Sequence, residues 1–502
     1  MAQGFLPFQY EIEKRDGGMT GLAGLPVYLE FAQVMGFGRI ISRHVQARQG
    51  GEQGWTDEQM VMSLVLLNLA GGDCVEDLAV LEGDEGFCRV LREIEHWGRT
   101  GSEKRSLRRR WRKKRIRTMP SPTAMREYLE LFHDDEQEKQ RMPHTAFIPA
   151  AKRPLDGLVR ANADFVAEVQ RRTPAKTATL DMDATLVETH KKEALYCYKK
   201  HKAYQPLNIY WAEQCVVVLS EFRDGNVSAN FDLLRPLQRA LAMIPGGVGK
   251  VCLRSDAAGY QAELLAYCAE AKSERFGVIE FAVGVDVTAE FKKAVREVAE
   301  ADWRPLPGKV RGRVQEYAEI CFVPRLVGHK KNGPVYRYLG IREPLEQQTL
   351  PGMDEQLRFP FQTMDWGAVK YKVTGVVTNR DLAGDEVIRW YRERCGKSEE
   401  AHSIMKEDLA GGKLPSGLFG SNAAWWQIMI LAFNLNVAMK RLVLGGDWAH
   451  RRMKAIRFWL INVPGRVLRH ARSLVVRLVG GYPSNEVLLE ARRRMVILWE
   501  SG

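Results

Sequence analysis

The chain has no Cys-x-x-Cys pair. Its eight cysteines (Cys74, Cys88, Cys197, Cys215, Cys252, Cys268, Cys321 and Cys395) are scattered singly. That spacing excludes a zinc ribbon and fits a reducing compartment. Long apolar runs are missing too. The best two, Val61–Leu67 and Ile428–Phe433, fall short of the about 20 residues that cross a bilayer. Acids appear within the first dozen residues, with no apolar stretch followed by a small-residue cleavage site, so no secretory leader is expected. There is no internal repeat and no low-complexity segment. These absences predict a cytoplasmic protein with no structural zinc and no membrane partner.

What is present is ordinary in amount and uneven in placement. At 502 residues the chain predicts about three or four structural units. Hydrophobic residues at 45% and charged residues at 27% suit a soluble globular protein. Lysine and arginine total 74 against 62 acids, a net charge of +12, which points to a polyanionic partner, nucleic acid or an anionic membrane surface. The excess has an address. Lys104–Arg117 (KRSLRRRWRKKRIR) holds ten basic residues in fourteen, and residues 441–502 carry twelve basic against four acidic. The rest of the chain is mildly acidic.

Residues 1–100 read as helical, with Thr56 or Asp57 as N-cap before Glu58–Leu69 and Gly71-Gly72 as the break. Ser121-Pro122-Thr123 opens another helix. From Thr177 the pattern becomes period two: Ala178, Leu180, Met182, Ala184 and Leu186 are apolar, and Thr177, Thr179, Asp181, Asp183 and Thr185 are polar. That is a strand with one buried face. Further strands are expected within Asn208–Phe222, at Val251–Leu253 and at Gly277–Val283, with helices at Phe231–Ile244 and Gly259–Ala271. The order predicts a mixed α/β sheet. Short β-like runs continue through 291–378, and helices dominate from Asp385 to Met439. The apolar segment Trp425–Met439 reads as a core helix behind that sheet.

Three places could carry chemistry. Asp181 and Asp183 lie on the polar face of the first strand, rigidly held, although a solvated strand face would look the same. Asp256 follows a short apolar strand, where α/β sheets face their ligands, and where an aspartate also caps a helix. Tyr391–Leu409 (YRERCGKSEEAHSIMKEDL) reads as one helix. At about 100° per residue it puts Glu399 on the inward stripe with Tyr391 and Lys406, and Glu400 towards solvent. A surface helix with i,i+4 charge pairs is the ordinary reading. Together these acids form a carboxylate set suited to two Mg²⁺ or Mn²⁺ ions, the arrangement that hydrolyses phosphodiesters.

On these residues the sequence resembles the DDE transposases of bacterial insertion sequences over roughly residues 50–480. The most specific part is their Tyr-x2-Arg-x3-Glu-x6-Lys signature: Tyr391, Arg394, Glu399 and Lys406 match, except that four residues separate Arg394 from Glu399. Glu400 therefore stands as an alternate third acid, and Asp181 as an alternate to Asp183. The resemblance implies an α/β fold: an RNase H-like mixed-sheet core with a β-rich insertion, preceded by a helical DNA-binding region and followed by a basic helical tail. The expected boundaries are 1–175 for the helical region, with its basic segment 104–117; 176–290 for the first part of the core; 291–378 for the insertion; 379–440 for the core helices with the third acid; and 441–502 for the tail.

In that family Asp183, Asp256 and Glu399 would hold the metals, Mg²⁺ or Mn²⁺. Tyr391, Arg394 and Lys406 would position DNA phosphates. Arg108, Arg109, Arg110, Arg112, Lys113 and Lys114 would grip the DNA backbone, placing basic grips on either side of an acidic core. Trp303 or Trp366 could receive a flipped base, though a packed core tryptophan is the favoured reading of either. The implied activity is cut-and-paste transposition: binding of terminal inverted repeats in double-stranded DNA, metal-assisted cleavage, and joining of the 3′-hydroxyl to target DNA by a homodimer on the bacterial nucleoid. The rival readings are an RNase H-like metal nuclease without strand transfer and a catalytically silent DNA-binding repressor.

Overall fold

The computed structural model describes residues 2–3, 9–10, 17–48, 53–112, 114–308, 314–324, 336–345, 361–367, 369–471 and 473–500. Lys113 and parts of the expected insertion (309–313, 325–335, 346–360 and 368) lie outside the described residues. The chain divides into two compact units. One comprises Asp134–Lys406 and Gly417–Phe419; the other comprises Met1–His133, Glu407–Ser416 and Gly420–Gly502.

The first unit is built on a large mixed sheet. Its opening strand β1 (Thr177–Ala184) is followed by a hairpin, β2 (Leu207–Trp211) and β3 (Val216–Glu221). Then come β4 (Lys250–Ser255) and β5 (Glu280–Gly284). The hairpin runs antiparallel to β1, while β4 lies parallel to both β1 and β5, giving the order β3-β2-β1-β4-β5. The β-rich stretch expected to be an insertion extends this same sheet. Beyond β5 lie β6 (Arg304–Pro305), β7 (Glu316–Ile320), β8 (Arg337–Leu345), β9 (Thr363–Trp366) and β10 (Val369–Thr378), in the order β6-β7-β8-β10-β5 with β9 on β10. Val, Ile and Tyr supply the β-branched and aromatic surface that pleated strands favour.

Helices cover the sheet. Helix α1 (Arg153–Arg172) packs on β3, where Asn162 donates to the carbonyls of Val217 and Val218 at 2.9 and 3.1 Å, at an irregularity in the β2–β3 pairing. Helix α2 (Leu234–Met243) also lies on β3, α3 (Ala262–Ala269) on β5, and α4 (Ala289–Arg296) buries Phe291 and Val295. Helix α5 (Gly384–Arg392) closes an apolar cluster of Ala282, Tyr317, Leu339, Ile341, Val376, Val387 and Ile388. Because β1 is central and covered on both sides, its polar face is buried as well: Thr179 and Asp181 are as inaccessible as Leu180. The expected half-solvated strand is corrected accordingly.

The second unit is mainly helical. Asp57–Ala70 carries a full capping box, with Thr56 accepting from Gln59 N and the Gln59 side chain accepting from Thr56 N, and it ends on Gly71 at φ 99°. Ser121 caps Pro122–Glu130. Helix α7 (Phe419–Met439) belongs from Gly420 onward to this unit and not, as its apolar sequence suggested, to the unit of the sheet. Extended through Leu444, it is long and apolar enough to cross a membrane, yet 83% of its most apolar 18-residue window is buried inside the protein. Its Asn436 accepts a buried 2.8 Å hydrogen bond from Tyr28. It is the core helix of the unit. The tail also differs from the expected all-helical form. Strands β11 (Gly465–His470) and β12 (Ser473–Leu478) form a hairpin that adds Met19–Thr20 as a third strand.

Candidate active site

The parallel register pairs Met182 with Ser255, so the next residues along, Asp183 and Asp256, stand beside one another at the carboxyl ends of β1 and β4. In open α/β sheets that is where ligands bind. Both carboxylates line one cleft of about 1080 Å³, together with Thr185, Leu186, Lys192, Tyr196, Tyr198, Lys202 and Lys406. Asp183 is recessed, its side chain 17% exposed. Burial raises its pKa; Arg394 opposes this, and the charge of Glu399 adds to it. Asp256 is raised by burial and then by the charge of Asp183, against Arg394 and the N–H of Ala258, which its Oδ1 accepts at 3.0 Å. Two recessed acids, both raised by burial and Asp256 also by the charge of Asp183, form a site that favours a cation.

Asp181, the alternate first acid, is placed differently. Its two oxygens accept a bidentate pair from Arg254 at 2.6 and 2.9 Å. Arg254 in turn donates to the Trp390 carbonyl at 2.7 Å and lies over the Trp390 ring. Both lone-pair sets are spent on a buried structural pair that ties β1, β4 and α5 together.

The helix carrying the third acid is broken. Helix α5 ends at Arg392, and α6 (Arg394–Ser403) contains non-helical residues at Cys395 (ψ 128°) and Gly396 (φ 92°), followed by a π turn over Ile404–Asp408. The angular ranking from a continuous helix therefore fails: Glu399 and Glu400 are both exposed, while Arg394, Ser398, Ala401 and His402 are buried. Arg394 donates to Asp183 Oδ2 at 3.2 Å, and Ser398 Oγ to the same oxygen at 3.0 Å. Of the two glutamates, Glu399 is the one whose charge reaches Asp183. Lys406 donates to the Leu186 carbonyl at 3.3 Å in the cleft wall. The Tyr391 ring lies under the Arg394 guanidinium at 5.8 Å. Its hydroxyl sits against Gly284, where a Cβ would stand 2.9 Å from that oxygen and 3.0 Å from Ala257 N. Only glycine leaves room for this approach.

Among the described residues, no three His, Cys, Asp or Glu side chains stand close enough together to hold a metal ion. Asp183 and Asp256 by themselves suit a hard cation, in oxygen chemistry and in mutual repulsion. The charge of exposed Glu399 reaches Asp183.

A family model for the transposase DDE domain, group 1, matches residues 9–326 and 355–498. The chain belongs to this family. No curated protein matches. Among solved structures, a synaptic complex of piggyBac transposase with hairpin DNA is similar at a TM-score of 0.39 and 10% identity, over 97% of this chain and 83% of that one. That likeness is too low to bear on fold or function.

For this DDE transposase-family chain, sequence reasoning missed Ser398 and Asp286. Ser398 gave no signal, because its orientation depends on the helix break. Asp286, raised by burial and then by the charge of Asp256, gave one, since it lies just past β5 as Asp256 lies just past β4. The basic segment divides by role. Arg108, Arg109, Arg112 and Lys114 are exposed, whereas Arg110 donates to the carbonyls of Gly54 and Trp55 at 2.9 and 3.3 Å. Arg115 pairs with Glu95 and lies over the Trp55 and Trp111 rings. Arg110 is thus engaged in holding its own unit. Trp303 and Trp366 pack edge to face at 5.8 Å around the Arg342 guanidinium, with Trp303 buried.

Proposed function

We propose that the chain is an insertion-sequence transposase of bacterial origin, acting in the cytoplasm on nucleoid DNA. It binds the terminal inverted repeats of its own element, cleaves the DNA ends, and joins the 3′-hydroxyl to target DNA as a homodimer. The strand order β3-β2-β1-β4-β5 supports an RNase H-like core. The observation that carries the reading is the pair Asp183 and Asp256, facing each other at the ends of adjacent parallel strands in a recessed cleft.

Asp183, Asp256 and Glu399 would hold Mg²⁺ or Mn²⁺, which when bound activates water or a 3′-hydroxyl and stabilises the leaving oxygen. The protein's own groups do the rest. Arg394 keeps a fixed positive charge beside both carboxylates: burial disfavours that charge, and Asp183, Tyr391 and Asp256 more than restore it. Such a guanidinium is placed to hold a phosphate next to the acids. Lys406 brings a second cation into the same cleft as a point charge. Gly284 lets Tyr391 close over the ends of β4 and β5, narrowing the space in which a strand can lie.

The test is cleavage of DNA carrying the element's ends, with Mg²⁺ present. Wild type should nick the ends and yield joined products. Asp256→Asn and Glu399→Gln should each lower cleavage by at least about 100-fold, the scale of losing a group that acts on the transition state. Equal cleavage by wild type and both variants would remove these residues from the site, and cleavage without joining would leave a nuclease.

A further inference from the structure

Between β1 and β2 the chain makes an excursion, Thr189–Lys202, reading THKKEALYCYKKHK, with five lysines and two histidines against one glutamate. It is a built hairpin. Val187–Glu188 pairs antiparallel with Ala203–Tyr204, and Tyr196 bridges Lys202. The tip is tightened by Cys197 N to the His201 carbonyl and Lys200 N to the Cys197 carbonyl, both at 2.9 Å, with Lys200 at φ 64°. At the tip Cys197 is buried, whereas its two neighbours are not. Tyr196 is 64% exposed and Tyr198 72%. Lys202 and Lys199 each sit at one ring, at 5.9 and 5.8 Å.

All four side chains line the cleft that holds Asp183 and Asp256. Two exposed tyrosines side by side present flat, amphipathic rings to whatever enters the cleft. Aromatic rings interleaved with lysines are the pattern that stacks bases while neutralising the adjoining phosphates. Because Asp183 is recessed in the cleft wall, a strand delivered to it must separate locally from its complement, which bares the base faces. We propose that Tyr196 and Tyr198 form a stacking platform for unpaired nucleotides of the strand led to the carboxylate pair, with Lys199 and Lys202 on the flanking phosphates. This rests on the reading of the cleft as the place where DNA is cut.

The test uses the full chain in EDTA with two probes: a 15-mer oligothymidylate carrying one central 2-aminopurine, and a fully paired 30-bp duplex. Wild type should quench the 2-aminopurine on binding. Tyr196→Ala/Tyr198→Ala should lose the quenching and bind the single strand about 10-fold more weakly, with duplex affinity within about twofold of wild type; Tyr196→Phe/Tyr198→Phe should keep both properties. Absence of quenching in wild type overturns the proposal without any variant. So does an alanine variant that binds the strand as tightly as wild type, or one that loses both probes equally. The two readings separate cleanly: a wild type that cuts but never stacks the base sinks only the platform, and one that stacks the base but never cuts sinks only the nuclease site.

Discussion

Two aspartates on one face of one strand, two residues apart, have different fates. A shift of about 6–7 Å along β1 moves from Asp181, sealed by Arg254, to Asp183, recessed in the wall of the cleft. Periodicity put both on the polar face; only the neighbouring strand's arginine distinguishes them. His402 yields a pH prediction at this scale. Burial, reinforced by the charges of Lys406 and Arg394 and opposed by Glu399, pushes it from 6.5 down to about 4. A folded value below the unfolded one means that its stabilising contribution is present above about pH 6.5 and is lost as pH falls through about 4. Wild type should therefore lose thermal stability more steeply between pH 6.5 and 4 than His402→Gln, by at most about 3 kcal/mol. Parallel melting curves against pH would contradict this.

At the scale of elements, the break between α5 and α6 explains the extra residue between Arg394 and Glu399. Cys395 and Gly396 leave the helix and absorb it, and Ser398 turns onto Asp183 when the helix restarts. Gly396 holds φ 92° with open space around its missing Cβ, so the obstacle to a side chain is backbone strain alone. Gly396→Ala should cost about 1–3 kcal/mol, read as a drop in melting temperature. Cleavage should fall further than that loss of stability accounts for, because the turn sets where α6 resumes. An unchanged melting temperature would mean that the backbone tolerates alanine there. Strand positions were legible because alternation is local: the expected strands at Thr177, Val251 and Gly277 all have counterparts. The angular ranking of Glu399 was not, because a glycine's left-handed turn resets helical phase without changing composition.

At the scale of the whole molecule, charge is gathered as the sequence alone could not show. Segment 104–117 and the tail 441–502 belong to the same helical unit, so the basic excess is concentrated there and does not flank the sheet in separate domains. Changing Arg108, Arg109, Arg112 and Lys114 to alanine should flatten the salt dependence of duplex binding by about 3–4 in log–log slope, if each meets one phosphate. An unchanged slope would remove the segment from the DNA interface, whereas Arg110→Ala should act on stability through its bonds to Gly54 and Trp55. By itself the sequence determined the mixed α/β core, its strand ends and the placement of Asp183 and Asp256 on them, because strand alternation and the carboxyl-end rule need only nearby residues. Tertiary structure decided what depends on distant partners: that Arg254 consumes Asp181, that the β-rich stretch continues the sheet of β1–β5, and that α7 is the core of the helical unit. Each is a contact between segments far apart in the chain, for which local pattern carries no signal.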